Sequence, residues 1–153
     1  MSTELENAVK AAIEKEDDSH NFYQNAAKES QTSELREFFL VLAGEELKHR
    51  KVLEHLDIKH LHAVEDKRLT DISIGDSLAL ASLSEYARIK DVFLLAIKKE
   101  EAAIARYQIM KQDVKEAAAK KLFDKLIHEE EGHKERLLSE HKRHFSSSVI
   151  TCG

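Results

Sequence analysis

The chain has 153 residues, 24 of them Lys or Arg and 29 Asp or Glu, so its formal net charge is −5. It has no proline, four glycines and a single cysteine, Cys152. Scarce turn residues disfavour an all-β fold, and one cysteine excludes an internal disulfide, a CxxC pair and a four-cysteine metal knuckle within these residues.

The acidic balance argues against a nucleic-acid partner. No apolar run approaches the ~18 residues of a membrane span, and the polar start Met1–Glu6 does not read as a secretory signal, so the expected location is cytoplasmic.

The first predicted helix covers about residues 3–29, where Leu5, Val9, Ile13, Glu16, His20, Tyr23 and Ala27 recur at three- and four-residue spacing. Ser30–Ser33 then offers N-caps, with Glu34 placed at the positive helix end. A second helix is expected over about 34–62, carrying Leu35, Phe39, Leu42, Glu46, His49, Leu53 and Leu56. Asp71, Gly75 and Asp76 interrupt the middle, so about 63–85 reads as a linker, with a short helix at 77–81. The third helix is expected over about 86–111, with Phe93, Ile97, Glu100, Ile104 and Tyr107 on its stripe. Asp113–Glu116 resembles a capping box for a fourth, over about 114–143, carrying Leu122, Leu126, Glu130, His133 and Leu137. Residues 146–153 read as a flexible tail.

Two short turns make two helical hairpins. A helix of ~28 residues is about 42 Å long, and a ~20-residue linker can reach ~65 Å. The linker can therefore cross the bundle and set the second and third helices parallel. The expected fold is an all-α four-helix bundle over residues 1–145.

Shifting the chain by 84 residues superimposes its halves without a gap. Ala12, Ile13, Lys15, Glu16, Tyr23 and Gln24 fall on Ala96, Ile97, Lys99, Glu100, Tyr107 and Gln108. Phe39, Leu42, Glu45, Glu46, His49 and Leu53 fall on Phe123, Leu126, Glu129, Glu130, His133 and Leu137. Such a repeat predicts approximate two-fold symmetry.

The repeat preserves chemistry as well as packing. Each hairpin has a Glu in its first helix and a Glu-x-x-His in its second: Glu46-Leu-Lys-His49 and Glu130-Glu-Gly-His133. Residues i and i+3 share a helix face. Glu16 and Glu46 lie equally far from the first turn, and Glu100 and Glu130 equally far from the second, so each pair meets at mid-bundle. Four carboxylates on apolar stripes need counter-charge or must hold protons. No Lys or Arg shares those stripes at that level, and two divalent cations would balance the four carboxylates. With two imidazoles the donor set suits iron, manganese or zinc.

Tyr23 and Tyr107 read either as core packing or as hydroxyls bonded to a ligand carboxylate. Glu45, Glu101, Glu129 and Glu131 read as a charged outer face. His55, His60, His62, His128, His141 and His144 lack the repeat's logic and read as solvated. His20, one turn from Glu16, is the exception to follow.

Glu16…Tyr23, Glu46-x-x-His49, Glu100…Tyr107 and Glu130-x-x-His133 together resemble the rubrerythrin branch of the ferritin-like superfamily. The resemblance spans both hairpins. It implies two iron ions, with Glu46 and Glu130 bridging, Glu16 and Glu100 terminal, and one His on each metal. It also implies reduction of hydrogen peroxide or dioxygen, in a homodimer. The family's C-terminal four-cysteine rubredoxin domain has no counterpart here, so an external donor such as a rubredoxin-like protein is expected. The family's additional Glu, one turn after the third-helix ligand, is replaced by Ala103. Two other functions remain open: iron oxidation for storage, which needs a cage-like assembly, and a non-catalytic helical module with a structural metal.

Overall fold

The protein is described by a computed structural model over residues 4–57 and 85–146. Four helices make two hairpins: α1 (Glu4–Glu29) with α2 (Ser33–Glu54), and α3 (Glu85–Asp113) with α4 (Ala117–His141). A π-helical turn, Lys142–Ser146, follows α4. The expected all-α bundle of two hairpins is therefore the fold. The expected linker, its short helix at 77–81, and the tail beyond residue 146 lie outside the described residues.

The first turn forms as its polar residues dictate. Thr32 is the N-cap of α2 and accepts a hydrogen bond from the Leu35 amide, while the Ser30 hydroxyl donates to the Ala26 carbonyl at the end of α1. The second turn differs from expectation. Asp113 is the buried last residue of α3, and Glu116, the N-cap of α4, makes no side-chain capping bond. The expected capping box does not form, because Asp113 is still the last residue of α3 and the N-cap of α4 falls on Glu116 instead.

α2 also ends at Glu54 rather than near residue 62. The His55 ring is 2.7 Å from the Lys51 carbonyl through Nδ1, and the His55 amide donates to the same oxygen. Asp57, just beyond, would place a negative charge at the negative end of a longer helix.

Two contacts set the direction of the helices. Tyr23 on α1 reaches Glu100 on α3, and Glu16 on α1 is reached by Tyr107 on α3. Seven residues forward on α1 thus meet seven back on α3, so these helices are antiparallel. With α1–α2 and α3–α4 each a hairpin, α2 and α3 are parallel, as expected, and the two short turns lie at opposite ends.

The core falls into two apolar clusters. One gathers Leu5, Val9, Leu53, Tyr107, Met110 and Phe123. The other gathers Tyr23, Phe39, Leu42, Val92, Phe93 and Leu137. They occupy opposite ends of the bundle and leave a polar layer between them. The repeat is visible in the packing: Tyr23 stacks on Phe39 at 6.2 Å and Tyr107 on Phe123 at 6.3 Å. On the outer faces, Arg50 pairs with Asp17 at 2.7 Å and Lys134 with Glu101 at 2.9 Å, each contact the image of the other. Phe145 extends the second cluster by packing edge-on against Phe93.

Candidate metal centre

The polar layer is built from one turn of each helix. Glu16 on α1, Glu46 and His49 on α2, Glu100 on α3, and Glu130 and His133 on α4 are all buried. Their positions follow from helical spacing: each replaces an apolar residue on a stripe that packs inward, so none can turn to solvent without unwinding its helix.

These six side chains form two groups. Glu16, Glu46, His49 and Glu130 make one; Glu46, Glu100, Glu130 and His133 make the other. Within each, the donor atoms lie within 4.8 Å of one another, and Glu46 and Glu130 belong to both. His49 Nδ1 is 3.1 Å from Glu46 and 3.4 Å from Glu130. His133 Nδ1 is 2.9 Å from Glu130 and 3.4 Å from Glu46. The two imidazoles lie nearly parallel, 5.6 Å apart.

The outer nitrogens of both histidines are held across the bundle. His49 Nε2 lies 2.7 Å from Glu129 on α4, and His133 Nε2 lies 2.6 Å from Glu45 on α2. Burial pushes the Glu45 carboxyl up, but His133 and Arg136 outweigh it and hold it below its ordinary value. Glu45 therefore stays ionised and can only accept, so His133 donates its Nε2–H to it and presents Nδ1 inward, the nitrogen that a metal would take in place of a proton. Here the structure corrects the sequence reading: Glu45 and Glu129 are not simply part of a charged outer face. They orient the two histidines. Both are identities of the repeat, and that signal identifies them.

The tyrosine alternatives are resolved as well. Tyr23 donates to Glu100 at 2.5 Å, and Tyr107 makes a short hydrogen bond to Glu16. Burial first, and then the neighbouring carboxylates, raise both phenols well above their ordinary value, so each stays a neutral donor. His20 does not enter the site; its Nδ1 sits 2.8 Å from the Ala43 carbonyl of α2. His128 and His55 are exposed, and His144 pairs with Glu140. His60 and His62 lie outside the described residues. Ala103, one turn beyond Glu100, is buried in the first apolar cluster and offers no donor.

The donor set fits metal ions on an observation independent of spacing. Both oxygens of Glu130, one each of Glu16, Glu46 and Glu100, and Nδ1 of both histidines are buried without a hydrogen bond. Seven converging orphan atoms are far more than a packed interior tolerates. Protons compensate in their place. Burial, followed by repulsion from Glu130, raises Glu100 to about 8 and raises Glu16. The same causes lift Glu46 well above its ordinary value. Burial also pushes Glu130 up, but the flanking His133 and His49 outweigh it and hold it low. Burial alone would lower His133, yet Glu100 and Glu130 lift it to about 10. Two divalent cations would remove this frustration.

A sequence model of the rubrerythrin family matches residues 7–141. A solved structure of a hypothetical protein from Pyrococcus furiosus is similar over 90% of this chain and 88% of that one, at 26% identity and a TM-score of 0.69. No curated protein matches the sequence.

Proposed function

This chain belongs to the rubrerythrin family, and we propose that its centre holds two iron ions and reduces hydrogen peroxide with electrons from a separate donor. The observation that carries this reading is the sharing of Glu46 and Glu130 between the two donor groups. Two shared carboxylates would hold two metals in adjoining sites, where both could act on one peroxide. Such a pair would supply the redox chemistry: peroxide takes up two electrons and two protons and leaves as two waters.

The chain's own residues do the rest. Glu16 and His49 complete one donor group, Glu100 and His133 the other. Tyr23 and Tyr107 keep Glu100 and Glu16 aimed inward, and Glu129 and Glu45 do the same for the histidines. The apolar clusters above and below exclude water, so charges in the layer interact strongly. The single cysteine leaves these residues without a four-cysteine iron site, so the donor lies outside them.

Ala103 favours a second reading. The family's extra carboxylate is absent, and a site of six donors alone also suits oxidation of Fe(II) for storage. One experiment separates the two. The protein is loaded anaerobically with two Fe(II) per chain and mixed with hydrogen peroxide or with dioxygen, and its native mass is measured. Faster oxidation by peroxide in a small oligomer supports the peroxidase. Faster oxidation by dioxygen in a large cage, with iron well above two per chain, supports storage. A retained metal inert to both oxidants leaves the structural module.

A further inference from the structure

The two halves of the molecule agree at the metal layer and disagree beside it. A groove of about 620 Å³ opens on the α2–α4 seam, lined by the His49–Glu129 pair and, at its other end, by Glu45. Val52 and Leu122 line its sides. Lys48 and Lys51 on α2 and Lys125 on α4 stand around it from opposite walls. The repeat sets His133–Glu45 in the equivalent place, but with different neighbours. Gly132, Glu135 and Val41 stand where the three lysines would be. Phe38 replaces Leu122, and Arg136 replaces Val52. Arg136 reaches Glu45 at 2.8 Å. Val52 is too short to do the same for Glu129. The Glu45 end of the groove is thus held by Arg136, and the three lysines belong to the His49–Glu129 half alone.

A volume of this size is far larger than a peroxide needs and falls in the range of small organic ligands, roughly 300–1,000 Å³. Three ammonium groups on two walls suit one acidic group, and the aliphatic side chains between them suit an apolar body. We propose that this groove binds a small organic anion. Its acidic group lies among Lys48, Lys51 and Lys125, and its apolar part lies on Val52 and Leu122, against the His49–Glu129 pair.

The test uses flavin mononucleotide as a phosphate-bearing planar probe, riboflavin as the same ring without the phosphate, and inorganic phosphate as competitor. Binding to the full chain is read by titration calorimetry and flavin fluorescence. Flavin mononucleotide is expected to bind at least tenfold more tightly than riboflavin, with phosphate competing. Lys48→Glu with Lys125→Glu should weaken it at least tenfold, whereas Lys10→Glu with Lys28→Glu, the same charge change on exposed positions of α1, should not.

Val52→Arg separates a groove from a merely cationic surface. It copies Arg136 of the other half while adding positive charge, so the groove predicts loss of binding and a diffuse field predicts a gain. Equal binding of the two flavins, no effect of the lysine reversals, or tighter binding by Val52→Arg overturns the proposal. Binding is read without turnover, so a failure of the peroxide chemistry leaves this result standing, and the reverse also holds.

Discussion

His49 on α2 and Glu129 on α4 meet across the bundle at 2.7 Å, and His133 and Glu45 repeat the contact in the opposite direction at 2.6 Å. Each carboxylate sits one residue before a shared carboxylate of the metal layer, so α2 and α4 each contribute a bridge and a support. Removing one support should affect one metal and spare the other. Glu129→Ala is expected to weaken one of the two metal sites by about 10–100-fold, the usual cost of losing a carboxylate behind a ligating histidine. Glu129→Gln, which keeps an acceptor oxygen, should lose less. Competition of Zn(II) against a chromophoric chelator resolves the two sites. Equal weakening of both would contradict the crosswise pairing.

The tyrosines support the terminal carboxylates in the same crosswise manner. Tyr23→Phe leaves Glu100 without its hydroxyl donor, and Tyr107→Phe does so for Glu16. Each deletion should cost about 1–3 kcal/mol of stability in the metal-free protein, the range for orphaning a buried polar group. The two ring pairs pack in separate apolar clusters, but Glu16 and Glu100 both face Glu130, so the double variant should depart from additivity through that shared carboxylate. Urea unfolding of the two single variants and the double variant checks both statements. A purely packing role would leave both single variants near wild type.

The repeat makes most of this architecture legible in the sequence. It carries Glu16, Glu46, His49 and their images as a set, and equal distances to the turns place them at one level. What it does not carry are decisions made by a single neighbour. Asp113 has the spacing of a cap but is swallowed by the end of α3, a packing choice that a local pattern does not register. His55 ends α2 through the Lys51 carbonyl although apolar residues continue at Leu56. Glu45 and Glu129 read as solvent-facing because helical phase alone puts them off the core stripe. Only the facing helix, at side-chain distance, makes them part of the site. His20 shows the converse: it has the right phase and the right neighbour, yet the nearer Ala43 carbonyl takes its ring nitrogen.

The raised groups fix how the metal-free protein responds to pH. Glu100 titrates at about 8 in the fold against 4.5 when free, and His133 at about 10 against 6.5. In both windows the folded protein holds more protons than the unfolded chain, so stability falls as pH rises. Glu130 is lowered, so its contribution is lost on the acid side instead, below its free value of 4.5. The metal-free melting temperature is therefore expected to peak near about pH 5 and to decline to about pH 10. Zn(II) should oppose this decline, because its binding strengthens as the ligands lose protons. Melting curves by circular dichroism, with and without Zn(II), read the trend. A metal-free melting temperature that climbs from pH 5 to pH 8 would contradict the protonated layer.

Glu46 and Glu130 occupy equivalent places in the repeat and both donor groups, but they differ in charge when metal is absent. Loss of either shared carboxylate should abolish loading with two metals per chain, whereas Glu16→Ala or Glu100→Ala should leave one site intact. Elemental analysis after metal loading and desalting counts the difference. Stability then separates the two shared residues. Glu46 holds its proton in the metal-free layer, so Glu46→Gln swaps one neutral group for another of the same shape and should change stability little. Glu130 is the ionised carboxylate, with His133 Nδ1 at 2.9 Å and His49 Nδ1 at 3.4 Å. Glu130→Gln leaves those imidazolium groups facing each other without the anion between them, and should cost about 3–5 kcal/mol, the range for breaking a buried ion pair from one side. Urea unfolding of the metal-free variants measures this directly. Equal losses for Glu46→Gln and Glu130→Gln would mean that the proton is shared between the two carboxylates rather than held on Glu46.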